Sequence, residues 1–302
     1  MRVLITGATG LVGNALTDLL LSEGISIHYL TTAKNKLKST PGKTGFYWNP
    51  EAGEIDESAL IGVDAIVHLA GATISKRWTD SYKQEIIESR ILSANLLFNL
   101  LRKNPHEVKQ IVSASAIGIY KDSLDTVYRE DATQKDDGFL GHVVQKWEES
   151  IDKFKILGLK TCKLRTGIVL SRNGGALPQM AKPIEWYVGA PLGSGRQFMS
   201  WIHLEDLTRM YLFALTQGLD GVFNATAPNP VTNKDFTKML AKRLHRPLIL
   251  PNVPAFALKL LLGEMHLLLV SSQNVNSEKI RNAGFDFKYN PLGEALDDLY
   301  PQ

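Results

Sequence analysis

Three glycines near the start of the chain have a spacing that could hold a phosphate group. Gly7, Gly10 and Gly13 stand three residues apart, after an apolar run over 3–5 and before an amphipathic pattern over 11–22. In such a strand-turn-helix unit the first glycine permits a tight turn, the second lets backbone amides approach a pyrophosphate, and the third allows close helix packing. The helix N-terminus adds unpaired N–H groups and a partial positive charge. The spacing therefore predicts a dinucleotide site. Its predicted contacts are Gly7, Thr9, Gly10, Leu11, Val12 and Gly13.

The residues after the second predicted strand indicate which dinucleotide is bound. An acidic side chain at this place holds the 2′-hydroxyl of NAD and repels the 2′-phosphate of NADP. The stretch over 29–36 contains no acid and instead offers Thr31, Thr32, Lys34 and Lys36. Hydroxyls and ammonium groups suit a phosphate, although these lysines could also form a solvated loop face. We therefore expect NADP(H) as the cofactor.

A further buried run over 64–69 ends in small residues, over which a ribose and an adenine can lie. We expect Leu69, Ala70 and Gly71 to contact the dinucleotide there. His68 lies inside the apolar part of this run, so it is interpreted as a hydrogen-bonded core residue rather than a catalyst.

The composition limits the classes of function. The chain has 302 residues, of which 44% are apolar and 22% charged, which fits one dinucleotide-binding domain with a smaller appendage. Lysine and arginine number 34 against 31 acidic residues, a net charge of +3, so neither nucleic acid nor an anionic membrane is implied. The single cysteine, Cys162, excludes an internal disulfide and a cysteine-rich metal site, and we expect it to be a small buried residue. No metal site is predicted.

Two segments bear on location and assembly. The first strand begins almost at Met1, without a cationic region and a long apolar stretch before it, so we expect a cytoplasmic protein. The apolar segment over 253–270 is interrupted by Pro254, Lys259 and Gly263 and is short for a membrane span. We interpret it as amphipathic helices that cover a core or the second subunit of a homodimer.

Strand-like and helical patterns alternate along the first half, which is typical of a parallel sheet with crossover helices. The predicted strands are 2–6, 26–31, 64–69, 109–114, 160–169 and 221–224; the predicted helices are 11–22, 80–103, 139–157, 204–216 and 233–244. We expect an α/β fold: a Rossmann-type doubly wound parallel sheet with a smaller C-terminal substrate lobe. The Rossmann domain is predicted over 1–170, with 201–226 returning to it, and the lobe over 171–200 and 227–302.

Taken together, the motifs resemble an atypical extended short-chain dehydrogenase/reductase of the "epimerase family protein" type, related to NAD-dependent epimerases and dehydratases. The resemblance covers the whole chain. It rests on 6–13 (TGATGLVG), 68–72 (HLAGA), 76–79 (KRWT), 113–118 (SASAIG), 164–170 (LRTGIVL), 193–197 (GSGRQ), 201–206 (WIHLED), 224–228 (NATAP) and 283–285 (AGF).

The resemblance implies a serine, a tyrosine and a lysine, the last two spaced as Tyr-x-x-x-Lys on one helix face. We expect Ser115, favoured over Ser113, to be the serine. Lys146 is kept, but His142 stands at the tyrosine position, and none of the nine tyrosines has a lysine four residues on. His142 and Tyr120 are the alternative proton donors, and surface or packing roles are the competing interpretation for both. Lys146 and Arg165 complete the predicted cofactor contacts.

A second departure concerns the substrate. Sugar-nucleotide members of the extended class place an arginine where this chain has Met199, while Arg196 stands three residues earlier. Arg196, with Lys76 and Arg77, could bind a carboxylate or a phosphate, so the predicted substrate is a small, acidic molecule. The alternative is that these three are solvated loop charges.

The expected function is thus that of an NADP(H)-dependent oxidoreductase or epimerase-like enzyme acting on an unknown small substrate. The alternative is a non-catalytic NADP(H)-binding regulator or scaffold, because the usual tyrosine is missing. A third, weaker hypothesis gives the helices after Pro254 a role in binding a protein partner.

Overall fold

The computed structural model describes residues 1–301, in which strands and helices alternate over the first half of the chain. The strands are β1 (Arg2–Thr6), β2 (Ser26–Thr31), β3 (Ser39–Thr40), β4 (Lys43–Asn49), β5 (Glu54–Ile55), β6 (Ala65–His68), β7 (Gln110–Ala116), β8 (Val127–Tyr128), β9 (Lys160–Thr166), β10 (Ile168–Leu170), β11 (Phe198–Met199), β12 (Trp201–His203), β13 (Gly221–Ala225), β14 (Val231–Thr232) and β15 (Asn274–Val275). The helices are α1 (Leu11–Ser22), α2 (Asp80–Lys103), α3 (Phe139–Asp152), α4 (Ala176–Glu185), α5 (Leu204–Thr216), α6 (Asn233–Arg243), α7 (Ala255–Leu262), α8 (Leu267–Val270), α9 (Glu278–Asn282) and α10 (Leu292–Leu299).

Seven parallel strands form the body of the main sheet, in the spatial order β13-β9-β7-β6-β1-β2-β4. At one edge, β3 and β5 pair with β4 in the antiparallel direction. The chain runs outward from β1 through β2 to β4 and then returns to the other side of β1 as β6. The strand order therefore reverses between β1 and β6. In open α/β sheets, ligands bind at the carboxyl ends of the strands that flank such a point.

Helices cover both faces of this sheet, because parallel strands are apolar on both sides and need a layer on each. α1 and α5 form one layer with residues such as Leu16 and Met210. α2 and α3 form the other with Leu97 and Trp147. Alternate residues of β1 over 3–5 point into the two layers in turn, so the sheet is the middle layer of three.

A smaller apolar core lies in the C-terminal part, where α4, α6 and α10 pack around β10 and β12. It is tied to α5 by the fully buried Asp206. This carboxylate accepts the backbone N–H groups of Lys288 and Tyr289, both at 2.9 Å, and pairs with Arg209 at 2.7 Å. Residues 288–289 are thereby held against the helix that follows β12.

The predicted fold class is confirmed: the chain forms a mainly parallel, doubly wound sheet of Rossmann type. One predicted strand is divided, since β9 ends at Thr166 and β10 begins at Ile168. A Cβ on Gly167 would lie 2.4 Å from the carbonyl oxygen of Ser200, so only glycine allows the backbone to turn there toward β12. The sequence pattern did not predict β4.

Candidate functional site

The glycine turn lies at the carboxyl end of β1, where the strand order reverses. Gly7 has a φ of +70°, and its carbonyl accepts the N–H of Gly10 at 3.0 Å, which closes the turn. Gly10 is the N-cap of α1 and gives the helix no side-chain cap. The first amides of α1, at residues 11–13, therefore have no intrahelical acceptor and no capping side chain. Such a helix end fits a pyrophosphate.

The helix can approach this closely because Gly13 has no side chain. A Cβ there would lie 2.1 Å from the carbonyl oxygen of Gly7 and 2.7 Å from the Cα of Ala8. A Cβ on Gly10 would meet only the Gly7 carbonyl oxygen, at 3.3 Å, and Gly10 is exposed. Gly13 is thus a packing requirement, whereas Gly10 keeps open the space in front of the amides.

The space at the carboxyl ends of β1, β2 and β6, in front of the glycine turn, is called the crevice below. The segment after β6 forms the wall of the crevice next to this turn. Thr6 Oγ1 accepts the backbone N–H groups of Leu69 and Ala70, both at 3.1 Å, and hydrogen-bonds to Nδ1 of His68 at 2.9 Å. His68 is fully buried, and burial lowers its pKa to about 3. It is therefore a neutral core residue, as expected, and it fixes the strand end against the glycine turn.

The end of β2 lies beside the same turn, because β1 and β2 pair in parallel with Thr6 opposite Leu30. Thr31 is buried and its Oγ1 accepts the N–H of Ala33 at 3.2 Å. Thr32, Lys34 and Lys36 are exposed, and the ammonium group of Lys34 lies 4.9 Å from the ring centroid of Tyr47. The structure thus brings these predicted cofactor residues together at the edge of the crevice.

Ser115 lies at the end of β7 in a buried polar network. Its hydroxyl donates to Glu148 Oε1 at 2.6 Å, and the same carboxylate accepts two hydrogen bonds from Arg165, at 2.8 and 2.9 Å. Burial acts to raise the pKa of Glu148, but the hydrogen bonds and charge of Arg165 outweigh it and hold the pKa below its usual value. With its proton directed at Glu148, the Ser115 hydroxyl cannot donate it to a ligand while this bond persists.

Tyr120 belongs to the same network. Its hydroxyl donates to Oδ1 of Asn224 at 2.6 Å and accepts a hydrogen bond from Arg165 at 3.0 Å. The side chain is buried, and burial raises its pKa to about 12. The proton of Tyr120 is thus engaged within the protein core.

The two faces of α3 differ in chemistry. His142 and Lys146 lie on the exposed face, where Lys146 pairs with Glu149 at 2.9 Å. Leu140 and Val144, eight and four residues before Glu148, lie on the same face as that buried residue. Leu140 approaches Gly118, and Val144 packs against Tyr120 and the residues around it. Within residues 1–301, no side-chain hydrogen bond joins His142 or Lys146 to Ser115, whose hydroxyl is bonded to Glu148. The catalytic roles expected for these side chains stay predictions.

Apolar side chains border this part of the crevice. They are Ile74, Trp78, Tyr82, Ile86, Ile87, Phe139, Leu140, Val143, Met265 and Leu268, which pack together. Met265 and Leu268 come from the segment over 263–270 and are partly buried in this packing. Gln197 contacts the same segment by donating to the carbonyl of Leu269 at 3.0 Å.

The predicted substrate-binding cations lie at the protein surface. Lys76, Arg77 and Arg196 are all exposed, and Lys76 lies 5.4 Å from the ring centroid of Tyr82. Met199 is buried in the C-terminal core, where its sulfur accepts an Asn233 amide at 3.5 Å. Their predicted role in binding a substrate stays a prediction.

Over residues 1–301, no group of three or more His, Cys, Asp and Glu side chains has the geometry of a metal site. No helix within that range has both the length and the apolar character needed to cross a membrane.

The fold and the glycine turn define a Rossmann-type dinucleotide-binding protein. The model of the NAD-dependent epimerase/dehydratase family matches residues 3–225, and a domain of unknown function, DUF1731, matches residues 253–299. The chain belongs to the NAD-dependent epimerase/dehydratase family, and within it to the atypical short-chain dehydrogenases/reductases called epimerase family proteins.

Three similar proteins illustrate this relationship. Epimerase family protein YfhF of Bacillus subtilis is 38% identical over 302 residues, which cover 99% of this chain and 98% of that protein. The crystal structure of human epimerase family protein SDR39U1 with NADPH has a TM-score of 0.85 and 30% identity, and the match covers 99% of each chain. UDP-N-acetylglucosamine 4-epimerase from Bacillus cereus, at 19% identity and a TM-score of 0.78 over 99% of this chain and 98% of that one, shares the fold.

Two residues of the crevice walls were missed by sequence reasoning. Glu148 is a buried acid. The sequence could have indicated its burial, because Leu140, Val144 and Glu148 are spaced by four residues and so lie on one face of α3. Arg90 lies on α2 against Gly71. Nothing in the sequence around it distinguishes it from a surface arginine, because its burial depends on helix packing across the sheet end.

Replacement of Glu148 by glutamine should destabilise the protein by about 3–5 kcal/mol at pH 7, because Arg165 is then left buried without its counter-charge. The pKa of Glu148 is depressed, so its stabilising contribution is full above the unfolded pKa of about 4.3 and is lost as the pH falls below that value. The difference in the free energy of unfolding between wild type and variant should therefore shrink in acid. Urea unfolding at several pH values measures it.

Glu149→Gln is the matched control for this measurement, since Glu149 is the exposed neighbour on α3. It should change the free energy of unfolding by less than about 1 kcal/mol. Equal stabilities for the two variants would show that the Glu148 network does not hold α3 to the sheet.

Proposed function

We propose that this protein binds NADP(H) at the carboxyl ends of β1, β2 and β6. The observation that carries the proposal is the uncapped N-terminus of α1 beside Gly7 and Gly10, which offers amides to a pyrophosphate. The acid-free end of β2, with Thr32 and Lys34 exposed next to it, supports NADP(H) over NAD(H). The structure of the human relative with NADPH adds support by analogy.

The cofactor, when bound, supplies a hydride donor or acceptor, and we propose an oxidoreductase or epimerase-like reaction on a small, acidic substrate. The chain's own contribution would be an apolar wall at Leu140, Met265 and Leu268, with Lys76 beside it and Arg196 as a further exposed cation. A cytoplasmic location and a homodimer are part of the same proposal.

A second candidate function is a non-catalytic NADP(H)-binding regulator or scaffold. Two observations support it. The inward face of α3 carries the apolar Leu140 and Val144, and the hydroxyl protons of Ser115 and Tyr120 are donated to Glu148 and Asn224.

Incubating NADPH-loaded protein with aldehydes, ketones, enones and sugar nucleotides distinguishes an enzyme from a regulator. Oxidation of NADPH with any of them supports the enzyme, whereas bound but unreacted NADPH throughout supports the regulator.

Gly10→Val should abolish most NADPH binding while the protein stays folded. The backbone of Gly10 has φ −82° and ψ 176°, which valine adopts, but the added side chain fills the space before the amides of α1. Loss of two charge-assisted hydrogen bonds would weaken binding by on the order of 100-fold. Isothermal titration calorimetry gives the affinity, and thermal unfolding without ligand checks the fold.

Two further variants of the same region are compared with Gly10→Val. Asn14→Val places the same side chain on an exposed position further along α1 and should bind NADPH normally. Gly13→Ala should instead lower stability by about 1–3 kcal/mol, since its Cβ collides with the Gly7 carbonyl. Wild-type affinity in folded Gly10→Val protein would refute the site.

The double variant Lys34→Ala/Lys36→Ala should lose affinity for NADPH but not for NADH. Each ammonium–phosphate contact contributes about 1 kcal/mol or more, so the loss is roughly tenfold if both side chains touch the 2′-phosphate. Titration of both cofactors into the variant, with Lys38→Ala as the exposed control on the same loop, measures this. Equal losses for both cofactors, or none, would contradict the assignment.

A further inference from the structure

Two loops in the C-terminal part of the chain expose large apolar residues to solvent. One loop follows α4, and the other lies between α6 and α7. None of these residues belongs to the apolar cluster that borders the crevice. We call them the apolar loop surface; with their exposed fractions they are Trp186 (64%), Tyr187 (50%), Val188 (54%), Ile249 (70%) and Leu250 (44%).

The two loops lie side by side. The N–H of Val253 donates to the carbonyl of Pro191 at 2.9 Å, and the carbonyl of Val253 accepts the N–H of Gly193 at 2.8 Å, so the two segments run in parallel there. Just before this pairing, the guanidinium carbon of Arg246 lies 5.0 Å from the ring centroid of Tyr187. The five exposed residues therefore belong to one surface.

The backbone of Tyr187 is strained. Tyr187 follows the end of α4, where its N–H donates to the carbonyl of Ile184 at 3.0 Å, and its φ is +62°. Within residues 1–301, the one other non-glycine residue with a positive φ is His245, directly before Arg246. Glycine adopts this conformation at helix ends without strain, whereas a bulky side chain does not. Because glycine would end the helix equally well, the strain points to a use for the half-exposed tyrosine side chain.

Both aromatic rings of the surface are held by cations. The ammonium group of Lys182 lies 4.7 Å from the ring centroid of Trp186, and Arg246 contacts Tyr187 as described above. Side chains that are ordered in advance lose less conformational freedom when they are covered. Tryptophan, tyrosine and arginine are also the residue types that contribute most to protein–protein interfaces. The surface therefore has the character of a protein-binding site.

The size of the apolar loop surface matches one dimer interface. Full coverage of its five residues would remove on the order of 500 Å² of apolar surface, since one large aromatic side chain alone buries about 150–250 Å². A stable interface buries about 800 Å² on each partner, of which rather more than half is apolar. The surface thus supplies the apolar part of an interface of that size.

The charges beside this surface are complementary to each other but unpaired. Glu185 is exposed and directly precedes Trp186, and Arg246 contacts Tyr187. No ion pair within residues 1–301 includes either of them. The buried Nε of Arg246 has no acceptor in that range. In a twofold dimer, a contact from one residue to another occurs twice in opposite directions, so one acid and one cation suffice for two ion pairs.

We propose that a second copy of this chain docks on the apolar loop surface about a twofold axis, with Arg246 of each copy paired with Glu185 of the other. The inference specifies the interface of the proposed homodimer and rests on that part of the proposed function, but it does not depend on NADP(H). The helix α7 also exposes apolar residues, among them Phe256 and Leu260. Its one charged residue is Lys259, so it offers a second copy no acid.

Sedimentation velocity of the full chain tests this interface. Wild type should sediment as a dimer, and Trp186→Glu and Ile249→Glu should each raise the dimer Kd at least about 100-fold, because each variant buries an unpaired charge twice. Ile156→Glu is the matched control, since Ile156 is 80% exposed in the turn after α3. Ile156→Glu and Leu260→Glu should both sediment as wild type. Thermal unfolding checks that each variant folds.

Charge reversal tests the pairing of the two copies. Glu185→Arg and Arg246→Glu should each weaken the dimer by roughly tenfold or more, because each places like charges opposite one another. The double variant Glu185→Arg/Arg246→Glu restores opposite charges and should recover most of the wild-type Kd. A role of Arg246 within its own chain alone would give no such recovery, and absence of recovery would overturn the pairing.

Three results would overturn the proposed interface. They are a wild type that stays monomeric up to its solubility limit, a dimer that Trp186→Glu and Ile249→Glu leave intact, and a dimer that Leu260→Glu dissociates while Ile249→Glu does not. Should Trp186→Glu fail to fold, Ile249→Glu decides alone. Titration of NADPH separates this inference from the cofactor proposal: a wild type that sediments as predicted but binds no NADPH would refute the cofactor site and still support the interface.

Discussion

The close contact between the first turn of α1 and the backbone before it governs the geometry of the crevice. Gly13 allows this contact because any Cβ would lie 2.1 Å from the carbonyl oxygen of Gly7. The contact sets the direction in which the free amides of α1 point. The parallel pairing of β1 with β2 and β6 then fixes the ends of those strands on either side of the same amides. Each wall of the site is thus positioned through the glycine turn.

Two arginines near the strand ends, the buried Arg165 and the partly buried Arg90, have different partners. Arg165 is neutralised within the protein by Glu148, and this pair engages Ser115 and Tyr120 in hydrogen bonds that hold β7, β9 and α3 together. Arg90 donates hydrogen bonds to two backbone carbonyls and lies over the ring of Trp147. The first network joins three elements and engages the hydroxyls of Ser115 and Tyr120, while Arg90 carries its charge without an acidic partner in residues 1–301.

The cofactor half of the site was largely predictable from the sequence, because it depends on local backbone requirements. A glycine spacing, a strand before it and an amphipathic helix after it are all readable along the chain, as is the absence of an acid after β2. The bounds of α1, α2 and α5 follow from apolar periodicity for the same reason. β4 was not predictable, because its Gly45 is needed for a nonlocal contact: a Cβ there would lie 2.5 Å from the ring of Tyr29.

The arrangement of the expected catalytic residues could not be predicted from the sequence in the same way. A four-residue spacing shows that His142 and Lys146 share a helix face, but not which face turns inward. The burial of Glu148 decides that question, and it depends on Arg165 from a strand far along the chain. Nor does the sequence show that Arg90 is partly buried, since its surroundings come from the end of β6 and from α3.

The central claim is that the uncapped start of α1 is the pyrophosphate site of an NADP(H)-binding protein. A crystal structure of the protein with NADPH tests it most directly. We expect the pyrophosphate at the backbone amides of residues 11–13 and the 2′-phosphate beside Thr32 and Lys34. A dinucleotide bound away from the glycine turn, or bound there with its adenosine and nicotinamide halves reversed, would contradict this expectation.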